Sequence, residues 1–514
     1  MGVIQRQSIK GALANYLGVF IGFFTTFFVI TRLLSQEEIG LTRVMVDAAM
    51  LFSGLAQIGT NASIIRFYPY FKDPDKRDHG FFGWTLILPI IGFLIIGSIL
   101  LIFKSDIIHI YAQKSALLTQ YYYLLLPLTF FVLYMTVFET NASVLLRITV
   151  PKTVREVLIR IFNLICYVLY GYHLIGFNTF VLLFCGSYAL AMAINFFYLL
   201  SLGKISFRLD LSYVNRQLGR EVLIYTLFMT ATILAGNIPL INTIFLGAQS
   251  GLELVGVYTI AFFIANVVEV PYRSLGAITQ PLISQATKEG NIDEVNRLAK
   301  KVSSLQLLVA SMIFYFIWIN LDALFAIIPN GADYAAGTGV VFILGLAKVF
   351  NSSFSIGTNI LNFSQKYMMA LPFIAVLTLC AILFNIYLIP HWGLNGSASA
   401  TLLSYIIYFS ILLTFLHLKL KVSLFSRNQA KTVALILVFL GLNWLWQLGF
   451  EAAAPQPTTL SLIANTAIKS IILGCSLLIL VYRWQVSTDL NEIISKLLRI
   501  RKKIRSTNPS PPVS

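Results

Sequence analysis

Apolar runs of roughly 20 residues recur from residue 11 to residue 483, and only short polar segments separate them. A bilayer core takes about 20 mostly apolar residues per helix. The pattern therefore predicts about fourteen transmembrane helices, near 11–34, 41–68, 80–103, 119–147, 152–173, 177–202, 220–246, 252–275, 302–325, 336–362, 367–389, 394–418, 430–450 and 460–483. What is left is loops, with no room for a soluble domain. Composition agrees: of 514 residues, 58% are hydrophobic and 11% charged, against about 25% charged in a typical soluble protein. Mean hydropathy is +0.81. Soluble, disordered and disulfide-stapled classes are excluded, and the expected class is an all-α polytopic membrane protein. Cys166, Cys185, Cys380 and Cys475 all lie inside apolar runs without metal-like spacing. The one A-x-A, Ala12 to Ala14, precedes the first run, so the first helix is expected to be retained.

Charge orients the array. Lys72, Lys76, Arg77, Lys152, Lys204, Arg208, Arg216, Arg220, Lys288, Lys300, Lys301, Lys366, Lys421 and the basic tail share one set of loops, while the alternate set holds Lys104 and Lys114. This is the positive-inside pattern, which places both termini in the cytoplasm. It also accounts for most of the net charge of +16, so no nucleic-acid partner is implied. The stretches 204–220 and 284–301, and the tail around Leu490, Ile493, Ile494 and Leu497, read as amphipathic helices on the anionic inner leaflet.

The chain repeats itself weakly at an offset of 217: Gly59 falls on Gly276, Gly176 on Gly393, Ser187 on Ser404 and Tyr188 on Tyr405. Glu38-Ile39-Gly40 resembles Glu253-Leu254-Val255-Gly256, one residue out of register. An offset of six helices preserves orientation and predicts two parallel six-helix lobes, with the substrate path between them. The expected organisation is an N-lobe at 1–202, a cytoplasmic linker at 203–219 and a C-lobe at 220–418. Accessory helices follow at 419–483, then a basic tail at 484–514.

Four stretches carry a family resemblance. They are Thr31-Arg32-Leu33-Leu34-Ser35-Gln36-Glu37-Glu38-Ile39-Gly40-Leu41, then Gly59-Thr60-Asn61-Ala62-Ser63-Ile64-Ile65-Arg66-Phe67-Tyr68, then Gln280-Pro281-Leu282-Ile283-Ser284, and finally the run from Asn385-Ile386-Tyr387-Leu388-Ile389-Pro390 through Gly393 and Gly396 to Thr401. The chain resembles the polysaccharide-transporter branch of the MOP exporter superfamily, the flippases of lipid-linked oligosaccharides. The resemblance implies a MATE/MOP-like fold and a polyprenyl-diphosphate-linked glycan as substrate, carried from the inner to the outer leaflet. It also implies a bacterial cytoplasmic (inner) membrane, contact with membrane lipids and polysaccharide assembly proteins, and no cofactor.

Ionisable groups at membrane depth are costly and mark functional sites. Arg43 with Asp47, Glu156 with Arg160, and Glu269 with Arg273 are spaced i, i+4 as self-neutralising pairs. Lys348 is different, having no acid within four positions and lying about 18 Å from either helix end. The available acid on another helix is Glu139, and a cavity-lining role is favoured for the lysine. Arg66 stands unpaired near the cytoplasmic end of the second helix. Lys348, Arg66, Arg43, Arg160 and Arg273 are thus the candidate cationic lining for a diphosphate, with Glu139, Asp47 and Glu269 as coupling or ion-pair carboxylates. Asn237, Asn242, Asn266, Asn351, Asn359 and Asn362 are placed to bond sugar hydroxyls or neighbouring helices. Pro239 and Pro271 predict helix bends.

Other classes fit less well. No G-x-x-x-x-G-K-[ST] loop is present, and the five histidines form no ligand cluster. A membrane-embedded glycan polymerase or glycosyltransferase therefore ranks last, and no catalytic or metal site is expected. A cation-coupled drug or metabolite antiporter of the same superfamily is the closer rival, although the first helix carries no acid.

Overall fold

The computed structural model describes residues 3–73, 77–203, 213, 216–236, 238–453, 459–487 and 491. Among these residues every regular element is a helix, and eleven helices are long and apolar enough to cross a membrane. In chain order the long helices are α1 (Leu13–Leu33), α2 (Gln36–Ala56), α3 (Phe81–Ile102), α4 (Ala116–Val144), α5 (149–171), α6 (Phe177–Ser201) and α7 (Arg216–Gly236 and Ile238–Ser250). There follow α8 (Leu252–Tyr272), α9 (Ile292–Ile319), α10 (Gly331–Phe363), α11 (370–392), α12 (394–420), α13 (Arg427–Ala453) and α14 (Thr459–Arg483). Every pass expected from hydropathy has its helix. α5 and α7 fall outside the eleven, and α11 and α12 count there as one run. That run has 51 residues; straight, it would reach about 75 Å, more than twice the hydrocarbon thickness. It divides at Gly393, whose φ of 50° and ψ of −123° suit glycine alone.

Local chemistry sets several boundaries. Ser35 caps α2: its Oγ accepts from the Glu38 N–H at 3.3 Å, and the Glu38 carboxylate accepts from the Ser35 N–H at 2.8 Å. α2 ends at Ile58 and Gly59, both at positive φ, and the chain resumes as a helix over Thr60–Phe71. The stretch 284–301 is not a surface helix. α8 runs on to Lys288, the chain turns at Gly290, and Asn291 caps α9 by accepting from the Glu294 N–H. Residues 204–212, 214 and 215 of the expected linker helix, and 488–490 and 492–514 of the tail, lie outside the described residues.

Close packing divides the chain into two units that interleave in sequence. One gathers 1–261, 328–340 and 371–404; the other gathers 262–327, 341–370 and 405–514. In the first, Ile64, Phe67, Phe71, Phe81, Val137 and Phe138 belong to one apolar core. The α2–α8 crossing there is unusually tight. A Cβ on Gly40 would stand 1.9 Å from the Leu252 carbonyl oxygen, and one on Gly256 would stand 2.1 Å from that of Gln36. These glycines belong to the two matching sequence stretches, so the crossing is reciprocal. In the second unit, Tyr315, Phe439, Leu473 and Leu477 join α9, α13 and α14 in one core, and Gly474 gives Phe316 room to approach.

Candidate functional site

Several buried charges are arranged in pairs. On α2, Arg43 Nε donates to Asp47 Oδ2 at 2.7 Å, and Thr243 on α7 donates to the same oxygen at 2.7 Å. Asp47 is almost wholly buried, its side chain 3% exposed, while Arg43 keeps 18%. On α5, Arg160 donates to Glu156 at 3.0 Å and to the Gly18 carbonyl of α1 at 2.7 Å. The helix widens to π geometry over Val154–Leu158 at this crossing, and Gly18 and Gly22 leave no room for a Cβ beside Glu156 and Arg160. π-bulges recur at functional sites. Two of the three i, i+4 pairs expected from spacing are therefore formed, and the third falls on the side chain of Arg273, outside the described residues.

Lys348 departs from expectation. It is 4% exposed, and its Nζ lies 3.1 Å from Glu269 Oε2 and 5.2 Å over the Phe262 ring. The acid that meets it is Glu269 on α8, not Glu139. One turn along α10, Asn351 donates to Glu269 Oε1 at 2.9 Å. The carboxylate is presented from a 3₁₀ turn, Val267–Glu269, placed just before Pro271. Proline offers no N–H to the carbonyl four residues back, so the helix is irregular where the acid projects. Glu139 pairs instead with Arg155 at 3.1 Å. Of the expected cationic set, Lys348, Arg43 and Arg160 are therefore compensated by carboxylates rather than bare, because an ion at this depth needs its counter-ion. The side chain of Arg273 lies outside the described residues, as does that of Pro239.

Arg66 has no carboxylate partner among the described residues; it is exposed, with its guanidinium 4.2 Å from the Tyr225 ring centre. Lys469 on α14 is 2% exposed and does not snorkel.

One polar network was not legible as a unit. On the second segment of α7, Asn242 donates to Thr401 on α12 and to the Tyr258 hydroxyl on α8 at 3.2 Å, and accepts from Asn385 on α11 at 2.8 Å. Asn385 and Thr401 are the two ends of the fourth resemblance stretch, which is the only sequence signal that linked them. Asn242 and Asn351 spend their amides on protein partners.

The family described as "Polysaccharide biosynthesis protein" matches residues 8–287. An uncharacterized membrane protein of Methanocaldococcus jannaschii is 23% identical over 446 residues, covering 80% of this chain and 84% of its own. The fold matches the lipid II flippase MurJ in an inward closed conformation, with a TM-score of 0.68 at 13% identity over 91% of this chain and 98% of that one. It also matches an inward-facing multidrug resistance MATE family transporter of the MOP superfamily, with a TM-score of 0.60 at 17% identity over 80% and 94%. The fold is that of MOP-superfamily transporters, and the chain belongs to the polysaccharide biosynthesis protein family.

Proposed function

We propose that this protein carries a polyprenyl-diphosphate-linked oligosaccharide, a repeat unit of surface polysaccharide, from the inner to the outer leaflet of the cytoplasmic membrane. The family match over 8–287 is the observation that carries the reading, and the fold shared with a lipid II flippase supports it. Transport proceeds by alternating access of two lobes, 1–202 and 220–418, with both termini cytoplasmic. Pro239 and Pro271 supply the bends, and polysaccharide assembly proteins receive the product.

The diphosphate contact falls to Lys348. In the unloaded protein Glu269 holds the ammonium; the substrate diphosphate displaces that carboxylate and takes over its charge-assisted bonds. Arg43, Arg160 and Arg273 line the path, and Asp47 and Glu269 take up the charge between cycles.

The test is a neutralised pair. Lys348→Gln together with Glu269→Gln removes both charges of the pair at once and is expected to fold. Vesicles containing it should fail to translocate a polyprenyl-diphosphate oligosaccharide that the wild type translocates. Retained translocation would make the pair purely structural. A second reading, a cation-coupled antiporter, is favoured by the MATE likeness and by the buried carboxylates Asp47 and Glu269. It predicts ion-dependent efflux of an organic cation and no glycolipid movement from the same vesicles.

A further inference from the structure

In the second unit a polar cavity lies where α9 meets the start of α13 and the end of α14. α12 closes at Lys421, whose φ of 56° turns the chain out of the helix. The connector that follows is tied to α9: Asn296 donates to the Lys421 carbonyl at 3.0 Å and accepts from the Ser423 N–H at 2.8 Å. Ser304 and Ser426 share a hydrogen bond of 2.6 Å, and Gln429 on the first turn of α13 donates to Ser303 at 2.7 Å. Beyond α14 the chain turns at Gln485, at a φ of 49°, and Val486 folds back into the core of α9, α13 and α14.

These ties leave a cavity of about 270 Å³, several times the space of about 30 Å³ that one water takes in the liquid. It is lined by Lys300, Lys301 and Ser304 of α9, by Ser426 and Asn428 at the start of α13, and by Ser487. Among the described residues no carboxylate lines it. Lys300 is exposed and has no acid partner among the described residues, whereas Arg297, one turn earlier, holds Glu294 at 2.6 Å. Of the two bonded serines, one spends its hydrogen on the other, which leaves one hydroxyl hydrogen free to donate. The cavity therefore offers ammonium and hydroxyl donors and a positive sign, and that combination selects an oxyanion.

We propose that this cavity binds the phosphate headgroup of an anionic phospholipid, with Lys300, Lys301 and the serine hydroxyls around the phosphate. The lipid, rather than a dissolved phosphate, follows from the neighbours of the lining residues. Phe425 directly precedes Ser426, and Trp484 stands two residues before Val486; they are 60% and 52% exposed. Large aromatic side chains settle at the headgroup level of a bilayer. Leu305, which also lines the cavity, gives the glycerol an apolar wall. The basic loops share this end of the helices, so under the topology proposed above the headgroup comes from the anionic inner leaflet. A lipid seated there touches α9 and α13 together and holds them at the headgroup. The inference goes beyond the flippase reading and uses only its topology.

The experiment measures lipid binding to the full-length protein in detergent by native mass spectrometry, with phosphatidylglycerol, phosphatidylcholine and inorganic phosphate as probes. Phosphatidylglycerol should bind in preference to phosphatidylcholine, and inorganic phosphate at the same concentration should not displace it. Lys300→Ala should weaken phosphatidylglycerol binding about fivefold. Lys288→Ala removes an equal charge from an exposed position outside the cavity and should leave binding unchanged. Asn428→Phe fills the cavity without touching a lysine and should weaken binding as well. Equal binding of phosphatidylcholine would overturn the site, and so would equal losses from Lys300→Ala and Lys288→Ala, which would mean diffuse attraction to the basic face. Displacement by inorganic phosphate would overturn the lipid as occupant. Because binding is read without transport, failure here leaves the flippase reading standing, and failed translocation leaves this site standing.

Discussion

Two buried carboxylates, Asp47 and Glu269, solve the same electrostatic problem in different ways. Asp47 takes its arginine from four residues back on its own helix and adds a hydroxyl from α7. Glu269 takes both of its α10 partners, Lys348 and Asn351, from the far side of a helix–helix interface. The first pair forms as soon as α2 does, and part of Arg43 keeps contact with its surroundings at 18% exposure. The second exists only once α8 and α10 have docked, and both of its ions are below 10% exposure. A pair within one helix stabilises that helix; a pair between helices holds two helices in register.

The contrast is broken most forcefully at Lys348. Lys348→Ala leaves Glu269 buried without its ammonium and should cost about 3–5 kcal/mol, read as thermal unfolding in detergent; Glu269→Ala should cost a similar amount. A loss below about 1 kcal/mol for either would show that the pair is solvated. Next in size is the crossing that fixes α2 against α8. Gly40→Ala places a methyl 1.9 Å from a backbone oxygen that has no side chain to swing away, so overpacking of about 1–3 kcal/mol is expected. Gly256→Ala, its reciprocal, should match it. An effect confined to one of the two would break the symmetry of the crossing.

Asp47→Ala sharpens the comparison from the other side. It strips Arg43 of its acid and removes one of the two acceptors of the Thr243 hydroxyl, which keeps the Leu240 carbonyl, a loss of about 1–3 kcal/mol. The cost stays below that at Lys348, because the arginine is long and already partly exposed. Asp47→Asn, which keeps an acceptor for Thr243, should recover part of it. Equal losses for Asp47→Ala and Lys348→Ala would remove the distinction between local and interhelical pairing.

The same contrast explains what was legible. Hydropathy locates the long apolar helices, because each is a contiguous property of about 20 residues. The break between α11 and α12 and the Arg43–Asp47 and Glu156–Arg160 pairs are equally local. Lys348 was recognisable as an anomaly from its depth, but its partner was not: choosing Glu269 over Glu139 requires knowing which helices touch and how the 3₁₀ turn before Pro271 aims the carboxylate. The Asn242–Asn385–Thr401 network was hidden for the same reason. Arg66 has no carboxylate partner among the described residues, and the direction its helix takes after Gly59 is not specified by residue identity alone.

The smallest expected effect concerns the acid that spacing made plausible for Lys348. Glu139 meets Arg155 at 3.1 Å, with side-chain exposures of 20% and 42%. A pair that open gains little, since solvent screens it and two long side chains must be held in place, and Arg155→Ala should cost at most about 1 kcal/mol. Glu139→Gln keeps the shape and one acceptor and should cost no more. The informative step is a double-mutant cycle of each acid with Lys348→Ala. Glu139→Gln and Lys348→Ala should add, as sites without shared partners do, whereas Glu269→Gln and Lys348→Ala should couple by about 0.5–3 kcal/mol. Coupling to Glu139 in place of Glu269 would mean that the resting ion pair has been assigned to the wrong helix, and the displacement mechanism built on Glu269 would fall with it.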